Sequence, residues 1–469
     1  MPARSTAQST DKKRVIEVKI RGSQSKRWAI GILAGAVAST LAIAPSQAKP
    51  ARAEVGVSAT EIVLGMQLPQ EGPASPGYKK VDDAMRAYFD YVNSKGGVNG
   101  RKIKLVVKDD KYKAGLTIST ASALINKDKV FAMVGSVGTQ THISVIKDIN
   151  RRGIPDLFVN SGYSGFYTDP KKYPTSFAGL GTYVVESKIE ADFLKKNYAA
   201  ELAAGKVGIL YQTDDFGRNV VAGFKQQGVT FPAANTQKFV AGSQSLGLTS
   251  QVQALQKAGV TLVVIGAVAS ATAITIGTAA KLGYAPKWLV TSVGSDATTF
   301  KTILASQGQS AAVASALLTG VISASHAPSP GEDTDEFVAA FKKINAEFNT
   351  GADEDKVWDN NVLQGMNIAY LTTAALKGVG KNLTRKALIA FMESKGSTLS
   401  SAALSPLAYS AKTHEAYNSF WIGAYDANSV LKPIGGTRVL YTTDSADGPI
   451  TVSTYKRPAI AADALPKVG

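Results

Sequence analysis

A doubly wound α/β fold is the architecture this sequence predicts, and three observations predict it. Short apolar runs rich in β-branched residues recur from Glu61 onward, and stretches with helical period separate them. Successive strands start roughly 25–55 residues apart, long enough for a βα unit, whereas a sandwich turns every ~8–12 residues. Near-continuous apolar strands mark a parallel sheet covered by helices on both faces.

In chain order the predicted strands are Ile62–Met66, Ile103–Val107, Val130–Val134, Ile154–Val159, Val207–Tyr211, Thr261–Ile265, Trp288–Thr291 and Leu318–Ile322. The helical stretches between them are 78–94, 115–126, 139–151, 185–197, 217–226, 247–257, 271–282 and 297–306. After Pro330 the pattern changes to three helices in succession, 334–349, 358–377 and 384–394. Short strands follow at Phe420–Tyr425, Thr437–Tyr441 and 451–456. Two strands end alike, on Asp109-Asp110 and on Asp214-Asp215, each before a helix, which suggests two similar lobes. Open α/β sheets bind ligands outside the carboxyl ends of their strands, so function is to be sought in the loops after these strands.

Composition narrows the chemistry. The chain has 469 residues, 45% apolar and 19% charged, enough to bury a core and unlike a disordered protein. It has no Cys, which excludes disulfides, thiolate metal sites and thiol nucleophiles. Three scattered histidines (His142, His326 and His414) give little material for a metal centre, and neither metal nor cofactor is expected. The net charge is +16, but residues 1–53 hold ten basic and two acidic residues, so half the excess sits there. The remainder is diffuse and carries no basic run flanked by aromatics, so nucleic acid is not an expected partner.

The first segment reads as an address. Lys26-Arg27 precede the seventeen uncharged residues Trp28–Ala44; Pro45 breaks the run, and small-x-small sites end at Ala48 and Ala53. Basic head, apolar middle and small-residue exit describe a secretory signal peptide cleaved after Ala48 or Ala53. The alternative is an uncleaved anchor, for which seventeen diluted apolar residues stand at the lower limit. The expected destination is the periplasm or the exterior.

Signatures of catalysis are missing: no phosphate-binding Gly-Lys loop, no dinucleotide glycine fingerprint, no nucleophile elbow and no His-Glu-x-x-His. The paired aspartates read as helix caps and first-turn charges. What remains are strand-end loops rich in Gly and hydroxyls. Gly135–Thr141, with Thr139, Gln140 and Thr141, offers backbone N–H groups and hydroxyls suited to an anion or a carbonyl oxygen. Asn160–Ser164, with Gly162, Tyr163 and Ser164, follows the next strand, and Tyr163, Phe166 and Tyr167 cluster beside it.

These residues carry a resemblance. Ile62–Pro73 with its Gly72-Pro73, the Asn93…Gly96-Gly97…Gly100 turn, Asp109-Asp110-x-Tyr112, the Gly135–Thr141 loop, Gly153-Ile-Pro155 and Asp214–Gly217 occur in one order. That ordered set over 54–430 resembles the branched-chain amino-acid (leucine/isoleucine/valine) binding proteins, the type I periplasmic solute receptors of ABC importers. The resemblance implies two α/β lobes joined by a three-crossover hinge, the first 54–179 with 322–419, the second 180–321 with 420–469. It implies a receptor that captures a small organic solute (amino acid, amide or carboxylate) and passes it to permease and ATPase subunits; a monomer is expected, and the missing motifs speak against an enzyme. A ligand-sensing module of the same fold is the alternative, and a secreted enzyme a more distant one. It also implies ligand contacts from Thr139, Thr141, Gly162, Tyr163 and Ser164, with Phe216 as the covering aromatic. The segment after about 430 has no counterpart in that family.

Two departures bear on the ligand. Family members that hold an ammonium group carry an acid just after the strand at Leu289–Thr291; here Ser292-Val-Gly-Ser intervenes before Asp296. The loop Gly266–Ser270 lacks the aromatic often found there. A buried ammonium without a carboxylate costs several kcal/mol. A small carboxylate, amide or weakly charged solute is therefore expected unless Asp296 reaches in, with Ser292 and Asp296 as the second-lobe contacts.

Overall fold

Residues 54–467 are described by the computed structural model, and they form two sheets of matching topology. The expected export signal lies in 1–53, outside the described residues.

The first sheet comprises β1 (Glu61–Leu68), β2 (Lys102–Asp109), β3 (Ala132–Val134), β4 (Asp156–Val159) and β5 (Ser176–Ala178). All pairings are parallel, in the spatial order β2-β1-β3-β4-β5. The second sheet repeats that winding with β6 (Val207–Gln212), β7 (Thr236–Phe239), β8 (Leu262–Gly266), β9 (Lys287–Val290) and β10 (Ile322–Ser325), in the order β7-β6-β8-β9-β10. Beyond β10 it continues antiparallel through β11 (Ser419–Tyr425), β12 (Leu431–Pro433), β13 (Tyr441–Thr442) and β14 (Thr451–Val452). In each sheet the winding reverses beside the first strand, at β1/β3 and at β6/β8. Such a switch point opens a crevice at the strand ends, where neighbouring crossovers leave in opposite directions.

The core of the first sheet is closed by the helices Val81–Ser94, Glu336–Phe348 and Asn360–Val379. Tyr88 meets Phe341 and Tyr370 edge-to-face at 5.9 Å. Fully buried rings of this kind contribute about 1.5–3 kcal/mol each by leaving water. The chain crosses between sheets after β5, after β10 and before β11. Residues 322–325, assigned to the first lobe from sequence, form β10 of the second sheet, because they pair with β9 and β11. A further crossing follows β14: Ile460, Ala464 and Leu465 pack on the first core, and the Tyr88 hydroxyl donates to the Ala464 carbonyl at 3.0 Å. The segment from 420 to 467 is thus shared between the lobes.

Several elements differ from the sequence expectation. The stretch 139–151 is two helices, Thr139–His142 and Ile146–Arg151, because the Ser144 hydroxyl donates to the Thr141 carbonyl and Val145 leaves helical geometry. Leu318 ends a Ser310-capped helix, Ala311–Leu318, and the turn at Gly320 (φ 81°) delays the strand to Ile322. Strand β7 reads Thr-Gln-Lys-Phe, a polar edge with no apolar run to announce it. The expected strands Thr437–Tyr441 and 451–456 shrink to the two-residue β13 and β14.

Candidate functional site

The loops at both switch points face one another across a cavity of about 110 Å³. From the first sheet come Tyr78, Tyr112, Gly138, Thr139 and Asn160. From the second come Phe216, Val268, Ser292, Ser295, Asp296 and Tyr425, with Tyr183 and His326 from the crossing segments. Asn360, Asn361 and Gln364, at the start of the Asn360–Val379 helix, complete the wall.

Local sequence explains each placement. The Asp109 carboxylate accepts from the Gln70 and Lys111 amides at 2.9 and 2.8 Å, and Asp110 accepts from the Tyr112 amide at 2.9 Å. These bonds hold Lys111 and Tyr112 in left-handed backbone (φ 50° and 56°) and carry the Tyr112 ring to the cavity. Gly138 has φ 112°, and a Cβ there would sit 2.4 Å from Thr141 Oγ1 and 2.5 Å from the Tyr112 ring. Only glycine lets the Thr139 loop approach Tyr112 so closely. On the second sheet Asp214 caps the Asp215–Gln226 helix through the Gly217 amide at 3.2 Å, which sets Phe216 in the first turn. The Phe216 ring lies 4.3 Å from that of Tyr183.

The Thr139 hydroxyl is 2.7 Å from the Ser161 hydroxyl and 3.3 Å from that of Tyr183. Burial raises the phenol pKa values of Tyr78, Tyr112, Tyr183 and Tyr425, so these groups stay neutral hydrogen-bonding partners. His326 stacks on Tyr417 at 4.5 Å, and burial lowers it to about 4, so it is a neutral imidazole. Among the described residues no Lys or Arg lines the cavity, and its single formal charge is Asp296. Asp296 Oδ1 caps the Ala297–Ser306 helix by accepting from the Thr299 amide at 2.7 Å. Its Oδ2 is buried and has no hydrogen-bond partner among the described residues. Ser292 is held from behind: its hydroxyl donates to Glu186 at 2.9 Å and its amide to the same carboxylate.

The structure brings together four of the sequence-read residues, Thr139, Phe216, Ser292 and Asp296. The others stand aside. Thr141 turns its hydroxyl to the Val137 carbonyl at 3.1 Å, because the helix Thr139–His142 directs it inward. Gln140, on the opposite face, lines a surface depression with Asp214 and Arg218. Gly162 is covered by the Tyr183 ring. Tyr163 packs edge-to-face on Phe166 at 4.9 Å, and the Ser164 amide donates to Asn219 at 3.2 Å. Tyr78, Tyr112, Tyr183, His326 and Tyr425 were not singled out from sequence as contacts. His326 lies one residue past β10, so the strand-end rule carried the signal for it.

The family described as Periplasmic binding protein matches residues 61–429. An amino acid binding protein from Pseudomonas aeruginosa is 25% identical over 198 residues, covering 42% of this chain and 48% of its own. The chain spans about half the length of the curated relatives it matches. Among solved structures, a branched-chain amino acid ABC transporter protein from Thermus thermophilus with bound valine has TM-score 0.69 at 18% identity, covering 83% of this chain and 98% of that one. A fatty acid ABC transporter substrate-binding protein from Thermomonospora curvata has TM-score 0.65 at 20% identity, covering 84% and 97%. The repeated winding, the crevice between the switch points and the match over 61–429 lead to one conclusion: the chain belongs to the periplasmic binding protein family.

Proposed function

We propose that this protein is the extracytoplasmic receptor of an ABC importer, closing its lobes on a small amino-acid-like zwitterion and handing it unchanged to a permease. The observation that carries the reading is Asp296, whose buried Oδ2 has no partner in a cavity wall free of Lys and Arg. An unpaired buried carboxylate is costly, and an ammonium group on the solute removes that cost. The solute carboxylate would rest among the hydroxyls of Thr139, Tyr112 and Tyr183, charge-free donors each contributing about 1–3 kcal/mol to an anion. In this reading Asp296 supplies the acid that the loop spacing puts a few residues late. Binding without turnover agrees with the histidines: His142 is held by Asp156 at 2.8 Å, His414 stacks on Phe177 at 3.9 Å, and His326 stacks on Tyr417. Among the described residues none of the three is hydrogen-bonded to a serine hydroxyl, the arrangement a base makes with its nucleophile. Native mass spectrometry of the purified protein is expected to find a co-purified amino compound that leaves unaltered on unfolding; a chemically converted product would overturn the reading.

A further inference from the structure

The cavity does not end at Asp296. A second chamber of about 380 Å³ shares with it the residues Asp296, Ser325, Asn360, Tyr425 and Leu431. It adjoins the solute site across these five residues and is called the vestibule below. Its charges can be paired off one by one. Asp359 is held by the buried Lys80, and Lys342 by Asp333. Lys301, half-buried in its wall, has no carboxylate within ion-pair distance among the described residues. One anion without a partner therefore stands at the junction of the chambers, and one cation without a partner stands in the vestibule.

Resting on the solute-receptor reading above, we propose that the site takes an elongated solute whose ammonium lies on Asp296 and whose far end, carrying a second carboxylate, enters the vestibule against Lys301. The two residues lie on the capped end and second turn of one helix, five positions and so about 7.5 Å apart along its axis. Both residues line the vestibule, so an amino acid with an extended acidic side chain, or a dipeptide with its terminal carboxylate, can meet the two at once. The vestibule, at about 380 Å³, is large enough for such an extension. An ionic contact at the half-exposed Lys301 weakens with salt, whereas the ammonium contact on buried Asp296 does so far less.

The test is calorimetric titration of the wild type and of Lys301→Met with L-leucine, L-glutamate and L-2-aminopimelate, at low and high salt. The wild type is expected to bind aminopimelate at least tenfold more tightly than leucine. Lys301→Met is expected to lose that tenfold for aminopimelate and to keep leucine affinity within twofold. Equal effects on all three solutes would overturn the proposal, since Lys301 would then serve Asp296 or the surface alone. Leucine binding with no gain for aminopimelate would overturn it as well, while leaving the receptor reading intact. Failure of aminopimelate to bind would likewise overturn the proposal, while the receptor reading stands or falls on the co-purified solute. Thermal unfolding of Lys301→Met, a half-buried helix position, separates loss of contact from loss of fold.

Discussion

The Ser270 hydroxyl donates to the Pro73 carbonyl at 3.0 Å, joining the loop after β1 to the helix that follows β8. The Gln244 amide donates to Ser270 at 3.1 Å and reaches the same carbonyl at 3.4 Å. This small polar latch joins the two lobes.

Ser270→Ala removes one neutral hydrogen bond that exists only when the lobes meet, worth about 0.5–1.5 kcal/mol. Solute affinity is expected to fall roughly twofold to tenfold, in the dissociation rate more than in the association rate. Stopped-flow fluorescence with a bound solute measures both.

Gly138→Ala meets two obstacles, a backbone region open essentially to glycine and a Cβ 2.4 Å from Thr141 Oγ1. It is expected to destabilise the protein by at least about 2 kcal/mol, by strain and overpacking together. Solute binding should be lost too, because the Thr139 loop must retreat from Tyr112. Thermal denaturation and titration of the same sample check the two effects.

Glu186 and Glu190 form a buried acidic pair on the helix Tyr183–Asn197. Burial pushes Glu186 up to about 7, and burial together with the Glu186 charge raises Glu190. Folded-state values above the unfolded ones mean that the folded protein holds protons more tightly. The resulting stability is fully present below the ordinary glutamate value of about 4.3 and is lost as pH rises through 7. The Ser292 donors favour the charge on Glu186, so Glu190 carries the proton. Glu190→Gln is therefore expected to flatten the decline between pH 5 and 8 and to be more stable than wild type at pH 8. Glu186→Gln is expected to destabilise, since the Ser292 amide loses an anionic acceptor. Denaturant unfolding across that pH range distinguishes them.

Residues 455–467 return from the edge of the second sheet to the first core. Arg457 pairs with Asp335, the Ser400 hydroxyl donates to the Pro458 carbonyl at 3.0 Å, and Tyr88 bonds Ala464. Upstream, the Lys188 ammonium donates to the carbonyls of Asp444, Ala446 and Gly448 at 3.0, 2.6 and 3.1 Å, fixing the strap's other end. Deleting 455–469 is expected to lower Tm by several degrees, as about 2 kcal/mol does in a chain of this size. It is also expected to speed solute release by freeing the lobes to open. Calorimetry and release kinetics test the two expectations.

Much of this fold was legible because its strands are buried on both faces and read as plain apolar runs; β6, Val-Gly-Ile-Leu-Tyr-Gln, is one such run. Strand β7 was hidden because an edge strand keeps polar side chains in water. At the site, the loop chemistry around Thr139 announced itself through Gly and hydroxyl density. Thr141 misled because a hydroxyl in a helix's first turn has a carbonyl of its own chain within reach, which spacing alone does not reveal. The aromatic residues Tyr112 and Tyr425 were obscure for another reason. One is aimed by a left-handed turn and the other by a bond to the Ser295 carbonyl, tertiary facts with no local pattern.

Titration of the wild type and of Asp296→Asn with a panel of L-amino acids and their deaminated carboxylate analogues reads the cleft chemistry most directly. An ammonium group resting on Asp296 predicts binding of an amino acid by the wild type and a loss of about 2–3 kcal/mol, roughly 30–150-fold, in the variant. Deaminated analogues binding the wild type as tightly as the amino acids, with no change in Asp296→Asn, would contradict it.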